Sequence, residues 1–299
     1  MHIRLASAPV SWGVLLKDTP NVPPYGPVLD EIRAAGYAGT ELGPYGYMPM
    51  QADRLRRELA ERGLTLLSAY VQVNLSDAQA NQAVYDEAMQ VTHFLHEMGC
   101  QWMVLSDLLF APDSRSKRAG RIRPEDGLQG QAWTAFVRNA QAFARQMREE
   151  CGLKTVYHPH VGAWIESPQE VDRFLSETDP DLIGLCLDTG HAMYGGDDPV
   201  DLCRRWGSRV RYLHLKDCSQ PIRQRVLASD GDYFDGVKAG VFPELGKGSV
   251  DFPALLKVLD GLNFDGWAVV EQDILPGTGA DPLASAKRNL AYLRSIGIG

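Results

Sequence analysis

The chain is short of the features that mark several large function classes. Its five cysteines stand singly at 100, 151, 186, 203 and 218, with no Cys-x-x-Cys pair. An odd, scattered set does not make a disulfide framework. Cys186 lies inside an apolar run and reads as a small core residue. No run approaches ~18 consecutive apolar residues, so no membrane-spanning helix is expected. The opening Met1-His2-Ile3-Arg4-Leu5-Ala6 has no long apolar stretch after its basic residue, so a signal peptide is not expected and a reducing cytoplasm is. Basic charge is also in deficit. The formal net charge is -8, which argues against a nucleic-acid partner, because phosphates call for a basic stripe. The one basic stretch, 115–123, reads as a solvated loop in preference to an anion site. There is no Walker loop, Gly-rich dinucleotide fingerprint, zincin motif or nucleophile elbow. Nicotinamide chemistry and serine hydrolysis therefore have little support.

What is present is rhythm. A chain of 299 residues, 44% hydrophobic and 23% charged, has the composition of a globular protein of one large or two smaller domains. Apolar runs at 3–8, 39–42, 64–71, 102–105, 155–157, 183–187, 210–215 and 267–270 read as strands. Segments with helical spacing fall between them, at 25–35, 52–62, 78–98, 131–150, 168–175, 199–206, 252–262 and 282–295. Ser167, Asp198 and Asp251 stand where N-caps belong, and Gly36, Gly63 and Gly99 where helices stop. Eight strand–helix units imply a parallel sheet and predict an α/β fold, a (β/α)8 TIM barrel, with a doubly wound open sheet as the alternative. No repeat or composition break marks a second domain, so 1–299 reads as a single barrel domain. Two connections, at about 107–130 and 218–250, are too long for plain turns. Both follow strands, so both belong to the face that carries barrel active sites.

Four strands finish in polar clusters: His158-Pro159-His160, Asp188-Thr189-Gly190-His191, His214-Leu215-Lys216-Asp217 and Glu271-Gln272-Asp273. Imidazole beside carboxylate suits a divalent metal. Asp188 follows a wholly apolar run, where an unpaired charge is costly; capping of the next helix is its bland reading. His191 is a ligand, a substrate contact or an orienting group. Alternation along the strand puts His214 and Lys216 on one face, while Asp217 is taken as a substrate contact. Glu271 is a ligand or acid–base group, or simply the partner of a nearby cation. His158 and His160 share one strand face. His158 is read as ligand and His160 as a substrate or acid–base group, although either could be a core histidine. Glu41 ends the second strand as a substrate or acid–base candidate. Trp12 is either an apolar wall for a ring or plain packing.

These residues resemble the xylose-isomerase-like barrel superfamily over nearly the whole chain. The resemblance lies in Ala8-Pro9-Val10-Ser11-Trp12-Gly13, Gly39-Thr40-Glu41-Leu42-Gly43, Leu187-Asp188-Thr189-Gly190-His191, His214-Leu215-Lys216-Asp217 and Val270-Glu271-Gln272-Asp273. Within it, the inosose dehydratases are similar in Tyr157-His158-Pro159-His160-Val161-Gly162. They are similar again in Phe234-Asp235-Gly236-Val237-Lys238-Ala239-Gly240-Val241-Phe242 and Gly246-Lys247-Gly248-Ser249-Val250-Asp251-Phe252. The resemblance implies a divalent metal, Mn2+ or Co2+, held by Asp188, His214, Glu271 and a fifth-strand ligand. Many epimerases place a glutamate on that strand; here His158 stands near the position. It also implies a small sugar-like or inositol-derived substrate. The implied reaction is dehydration of 2-keto-myo-inositol to a diketo-inositol through an enediolate, with Glu271, His160 and Lys216 as acid–base candidates. The alternatives are a metal-dependent ketose 3-epimerase or sugar isomerase, and a non-catalytic sugar-binding barrel. A homo-oligomer is compatible with the acidic surface, and no membrane partner is expected.

Overall fold

The computed structural model describes residues 1–15, 21–77, 82–110, 112–275 and 281–298. Nine parallel strands form one sheet: β1 (His2–Ser7), β2 (Gly39–Thr40), β3 (Thr65–Leu66), β4 (Tyr70–Gln72), β5 (Trp102–Ser106), β6 (Lys154–Tyr157), β7 (Ile183–Asp188), β8 (Val210–Leu215) and β9 (Asp265–Val270). The order is β3-β2-β1-β9-β8-β7-β6-β5-β4. β3 and β4 are two halves of the single run expected at 64–71. One half pairs with β2 and the other with β5. Between them Leu42 N donates to Ser68 O, and Val104 N donates to Ala69 O. The ring therefore closes through the third of eight strand units, which is the expected barrel.

The outer layer consists of α1 (Tyr25–Ala35), α2 (Ala52–Arg62), α3 (Gln82–Glu97), α4 (Asp113–Ser116), α5 (Gly130–Cys151), α6 (Pro168–Glu177), α7 (Thr189–Gly195), α8 (Pro199–Trp206), α9 (Gln220–Ala228), α10 (Tyr233–Lys238), α11 (Phe252–Gly261) and α12 (Pro282–Ser295). The expected start of the third helix, at Ala78, lies outside the described residues. Ser167, Asp198 and Asp251 all cap as their sequence positions imply, accepting backbone N–H groups one turn on. Gly36 ends α1 at φ 104°, a left-handed conformation that a side chain resists. No helix among the described residues is long and apolar enough to cross a membrane.

Strand alternation sorts the interior. Ala6, Val104, Val156, Cys186, Tyr212 and Val269 face one another inside the barrel, with Ala6 level with Val269, Val104 with Val156 and Cys186 with Tyr212. The opposite faces pack beneath the helices, where α1 buries Val28, Leu29 and Ile32. Two residues further along the inward faces of β5 to β9, the side chains become polar, at Ser106, His158, Asp188, His214 and Glu271, and reach the C-terminal rim.

The two long connections are not bare loops. The first contains α4, and the second contains α9 and α10. In the basic stretch 115–123 Lys117 and Arg123 are exposed, as a solvated loop implies, but Arg115 and Arg121 are engaged. Arg115 is 2% exposed. It donates to Ala163 O at 2.8 Å, to Trp164 O at 2.9 Å and to Glu170 at 2.6 Å. Arg121 reaches across to Leu227 O and Asp230, and Arg223 returns to Gly120 O. Arg115, Arg121 and Arg223 thus tie the insertions to the rim and to each other. Buried backbone carbonyls need donors, and a guanidinium supplies several in one plane.

Asp107, at the end of β5, shows what burial costs a carboxylate. Burial pushes its carboxyl up to about 7, against the pull of the Leu75 and Leu108 N–H groups and the Arg115 charge. The folded chain therefore holds a proton that the unfolded chain has released between about pH 4 and 7. Stability from this group is gained as pH falls through 7 and is absent above it. Asp107→Asn is expected to be more stable than the parent at pH 8 by about 1–4 kcal/mol, with the gap closing towards pH 4. Urea unfolding at several pH values checks this; parallel curves for the two proteins would refute it.

Candidate metal and acid–base centre

The polar ends of β2, β6, β7, β8 and β9 converge on one point. Glu41, His158, His160, Asp188, His191, His214, Lys216, Glu271 and Asp273 are all buried. At the centre stands the Lys216 ammonium. Its Nζ lies 3.3 Å from Asp188 Oδ2, 3.2 Å from Glu271 Oε2, 2.8 Å from Asp273 Oδ1 and 3.1 Å from His191 Nε2. Burial by itself would discharge it, but Asp188, Asp273 and Glu271 hold it well above the ordinary lysine range. The side chain reaches the centre only because residue 190 is glycine. A Cβ there would lie 2.6 Å from Lys216 Cγ.

The expected ligand residues form a chain of contacts. His158 Nε2 is 3.4 Å from Asp188 Oδ2. His214 Nδ1 is 3.7 Å from the same oxygen and 3.3 Å from Glu271 Oε2. Asp188 meets both of its readings at once. Its Oδ1 accepts the His191 N–H at 2.8 Å and caps α7, a short helix the sequence rhythm did not reveal. Its Oδ2 faces the centre without a hydrogen-bond partner, as does His214 Nδ1. Burial opposes ionisation of Asp188 and Glu271. Lys216 and the neighbouring imidazoles outweigh it, holding Asp188 well below the carboxylate range and Glu271 at about 2. Unpartnered buried carboxylate and imidazole atoms are the donors a divalent cation takes, so the residues present fit such an ion.

Glu41 takes a different place from the substrate or acid–base role expected of it. Its Oε1 accepts from Ser68 Oγ at 2.9 Å and from Tyr212 OH at 2.9 Å, and lies 3.1 Å from His214 Nε2. Carboxylates thus face both ring nitrogens, Glu41 at Nε2 and Glu271 with Asp188 at Nδ1, and Glu41 holds the ring from the side away from the centre. Glu41 therefore orients His214.

Two expected contacts point elsewhere. Asp217 lies outward, because alternation puts it opposite Lys216. Its carboxylate accepts the N–H groups of Cys218, Gly246, Gly248 and Val250. It folds the end of the second insertion and does not line the centre. Trp12 packs in the layer between sheet and helices, with Nε1 donating to Glu31 on α1 at 2.7 Å. Packing, the bland reading of Trp12, is the one the structure adopts.

His160 and His191 face each other, with ring centroids 3.8 Å apart. Nδ1 of His160 sits 2.7 Å from Val161 O, which places its proton there and leaves Nε2 as an acceptor. Burial, His158 and the Lys216 charge push His160 down to about 3. Burial, His160 and Lys216 likewise lower His191. Both imidazoles are thus neutral beside the cation. Asp273 and Tyr233 complete the centre, and neither received a role from sequence. Asp273 was accessible to reasoning, since it sits two residues after Glu271 on the same face. Tyr233 gave no local signal, because an insertion delivers it.

Two measurements test these placements. Glu41→Gln is expected to weaken divalent-metal affinity about 10–100-fold, read by competition with a fluorescent chelator; unchanged affinity would remove the orienting role. Asp217→Ala is expected to lose about 2–4 kcal/mol in urea unfolding while metal affinity is kept. Loss of substrate affinity at full stability would instead put its carboxylate in the site.

Comparison with known proteins gives the family. The xylose isomerase-like TIM barrel family matches residues 29–296. An inosose dehydratase of Geobacillus kaustophilus (strain HTA426) is 31% identical over 97% of this chain and 93% of its own length. The rhizopine catabolism protein MocC of Rhizobium meliloti is 33% identical over 98% of this chain and 89% of its own. The crystal structure of IOLI protein with a binding zinc atom superposes with a TM-score of 0.70 at 14% identity, covering 98% of each chain, a likeness of fold. With the family matched over residues 29–296, the chain belongs to the xylose isomerase-like TIM barrels.

Proposed function

We propose that this protein is a divalent-metal-dependent dehydratase of a cyclic polyhydroxy ketone, converting 2-keto-myo-inositol to a diketo-inositol. It is an enzyme of the lyase class, and the barrel with its two insertions works as one unit. The observation that carries the reading is the buried cluster in which the Lys216 ammonium, Asp188 Oδ2 and His214 Nδ1 meet. The near full-length similarity to an inosose dehydratase supports the substrate class.

His158, Asp188, His214 and Glu271 would hold the ion, with Mn2+ or Co2+ favoured by the oxygen and nitrogen donors. When bound, it supplies Lewis-acid polarisation of the ketone. The chain's own groups do the rest. His160, with its proton committed to Val161 O, offers Nε2 to the proton on the carbon beside the carbonyl. Lys216 lies where negative charge builds on the enediolate, and its N–H groups stabilise that charge in a water-poor site. The β-hydroxyl leaves as water, taking the proton that His160 received from the carbon, so the base ends the step as it began it. Glu271, in contact with both His214 and Lys216, couples the ligand set to the acid–base set.

Mass spectrometry of 2-keto-myo-inositol incubated with manganese-loaded protein is expected to give a product lighter by one water. Chelation is expected to reduce turnover to background, and added Mn2+ or Co2+ to restore it. An unchanged substrate mass with altered stereochemistry would replace dehydration with epimerisation, and full activity without metal would remove the ion from the reaction.

A further inference from the structure

Tyr233 is the first residue of α10, in the second insertion, yet it is 1% exposed and reaches the barrel centre. Asp232 caps that helix by accepting the Asp235 N–H, so the start of α10 is fixed. The Tyr233 ring stacks on His191 at 6.0 Å and 20°, and lies 5.2 Å from Phe110, which the first insertion supplies. Its hydroxyl donates to Asp273 Oδ2 at 2.5 Å. The other oxygen of Asp273 holds Lys216 Nζ at 2.8 Å. An insertion residue is thus linked to the central ammonium through one carboxylate.

We propose that Tyr233 is a positioning residue that acts through Asp273 to set Lys216, so that the acid–base centre is complete only when the insertion is docked. The inference rests on the role of Lys216 proposed above. The physical reason is a contest for Asp273. Its two oxygens face two donors, the Tyr233 hydroxyl and the Lys216 ammonium. With the Tyr233 hydroxyl on Oδ2, Oδ1 alone faces Lys216. Without that hydroxyl, Oδ2 is a buried acceptor with no donor, which is costly. The carboxylate then turns both oxygens towards Lys216. That movement draws the ammonium away from Asp188 and Glu271, and displacements of about 1 Å at a reacting centre cost on the order of 100-fold in rate. Phe110, Phe234 and Phe242 pack around the ring and hold it in line. They make no hydrogen bond to the carboxylate, so the linkage runs through the hydroxyl.

Tyr233→Phe keeps the ring and removes only the hydroxyl. Its kcat is expected to fall about 10–100-fold with KM for the ketone nearly unchanged. In an Asp273→Asn background the same substitution is expected to cost little more, because the two residues act as one unit. A second readout needs no turnover: the rate at which acetic anhydride modifies Lys216, followed by peptide mass spectrometry in all four proteins. Modification is expected to quicken in Tyr233→Phe and in Asp273→Asn, and no further in the double variant. If the parent does not dehydrate the ketone, the proposed reaction fails and the labelling cycle still decides the linkage. Parent-like kcat in Tyr233→Phe overturns the positioning role. Equal losses in both backgrounds, or labelling unchanged by the hydroxyl, overturn the route through Asp273.

Discussion

A lysine ammonium taken out of water is costly unless charge and hydrogen bonds replace its hydration. Here Asp188, Glu271 and Asp273 surround Lys216 within 3.3 Å, and much of the molecule is arranged to permit that. β7, β8 and β9 must be adjacent and in register for their last inward residues to meet. Gly190 must lack a side chain for the lysine stem to pass. The mouth must stay covered, because water between the groups would raise the local dielectric and weaken each pair. A cluster with three carboxylates about one ammonium carries surplus negative charge. That surplus is what the proposed divalent cation would neutralise.

The cover is built from the two insertions, and its cohesion is polar as well as aromatic. Glu166 is central to it. Its two oxygens accept the N–H groups of Gly120 and Gly162, each at 2.6 Å, so one carboxylate holds the first insertion and the turn after β6 together. Burial, only partly offset by those N–H groups and by Arg115, pushes its carboxyl up to about 7. Asp217 does the equivalent work under the second insertion, with four N–H groups on one carboxylate. In both cases an acid buried near the active face serves backbone order. Proximity to a metal centre in sequence therefore says little about what a carboxylate does there.

Glu41 makes the same point from inside the barrel. It sits among inward residues and next to a ligand candidate, but Ser68, Tyr212 and His214 together occupy one of its oxygens. Its contribution passes through His214, whose Nε2 it faces at 3.1 Å. The centre is thus layered: Glu41 orients His214, His214 and Asp188 face the ion position, and Asp273 with Tyr233 sets Lys216 on the other side. Cys186 and Tyr212 form the floor beneath them.

The sequence by itself determined the order of elements, the caps and the inward face of each strand. These depend on residues one to four positions apart: alternation for His214 and Lys216, side-chain oxygens at 167, 198 and 251, and glycine at 36. Four polar strand ends pointing to one rim followed from that order, because a parallel barrel puts every strand's C-terminal end on the same face. What each polar side chain does there was decided only by tertiary structure. Glu41 and Asp217 were read as substrate contacts, but their partners are up to 173 residues away in Glu41's case and about 30 in Asp217's. The arginines of 115–123 looked like a solvated stretch because the carbonyls they satisfy belong to segments 163–164 and 227–231. Tyr233 belongs to a helix whose local pattern says nothing of Asp273. Local spacing fixes direction along a strand or helix, whereas a hydrogen bond between distant segments exists only once the ring has closed and the insertions have docked.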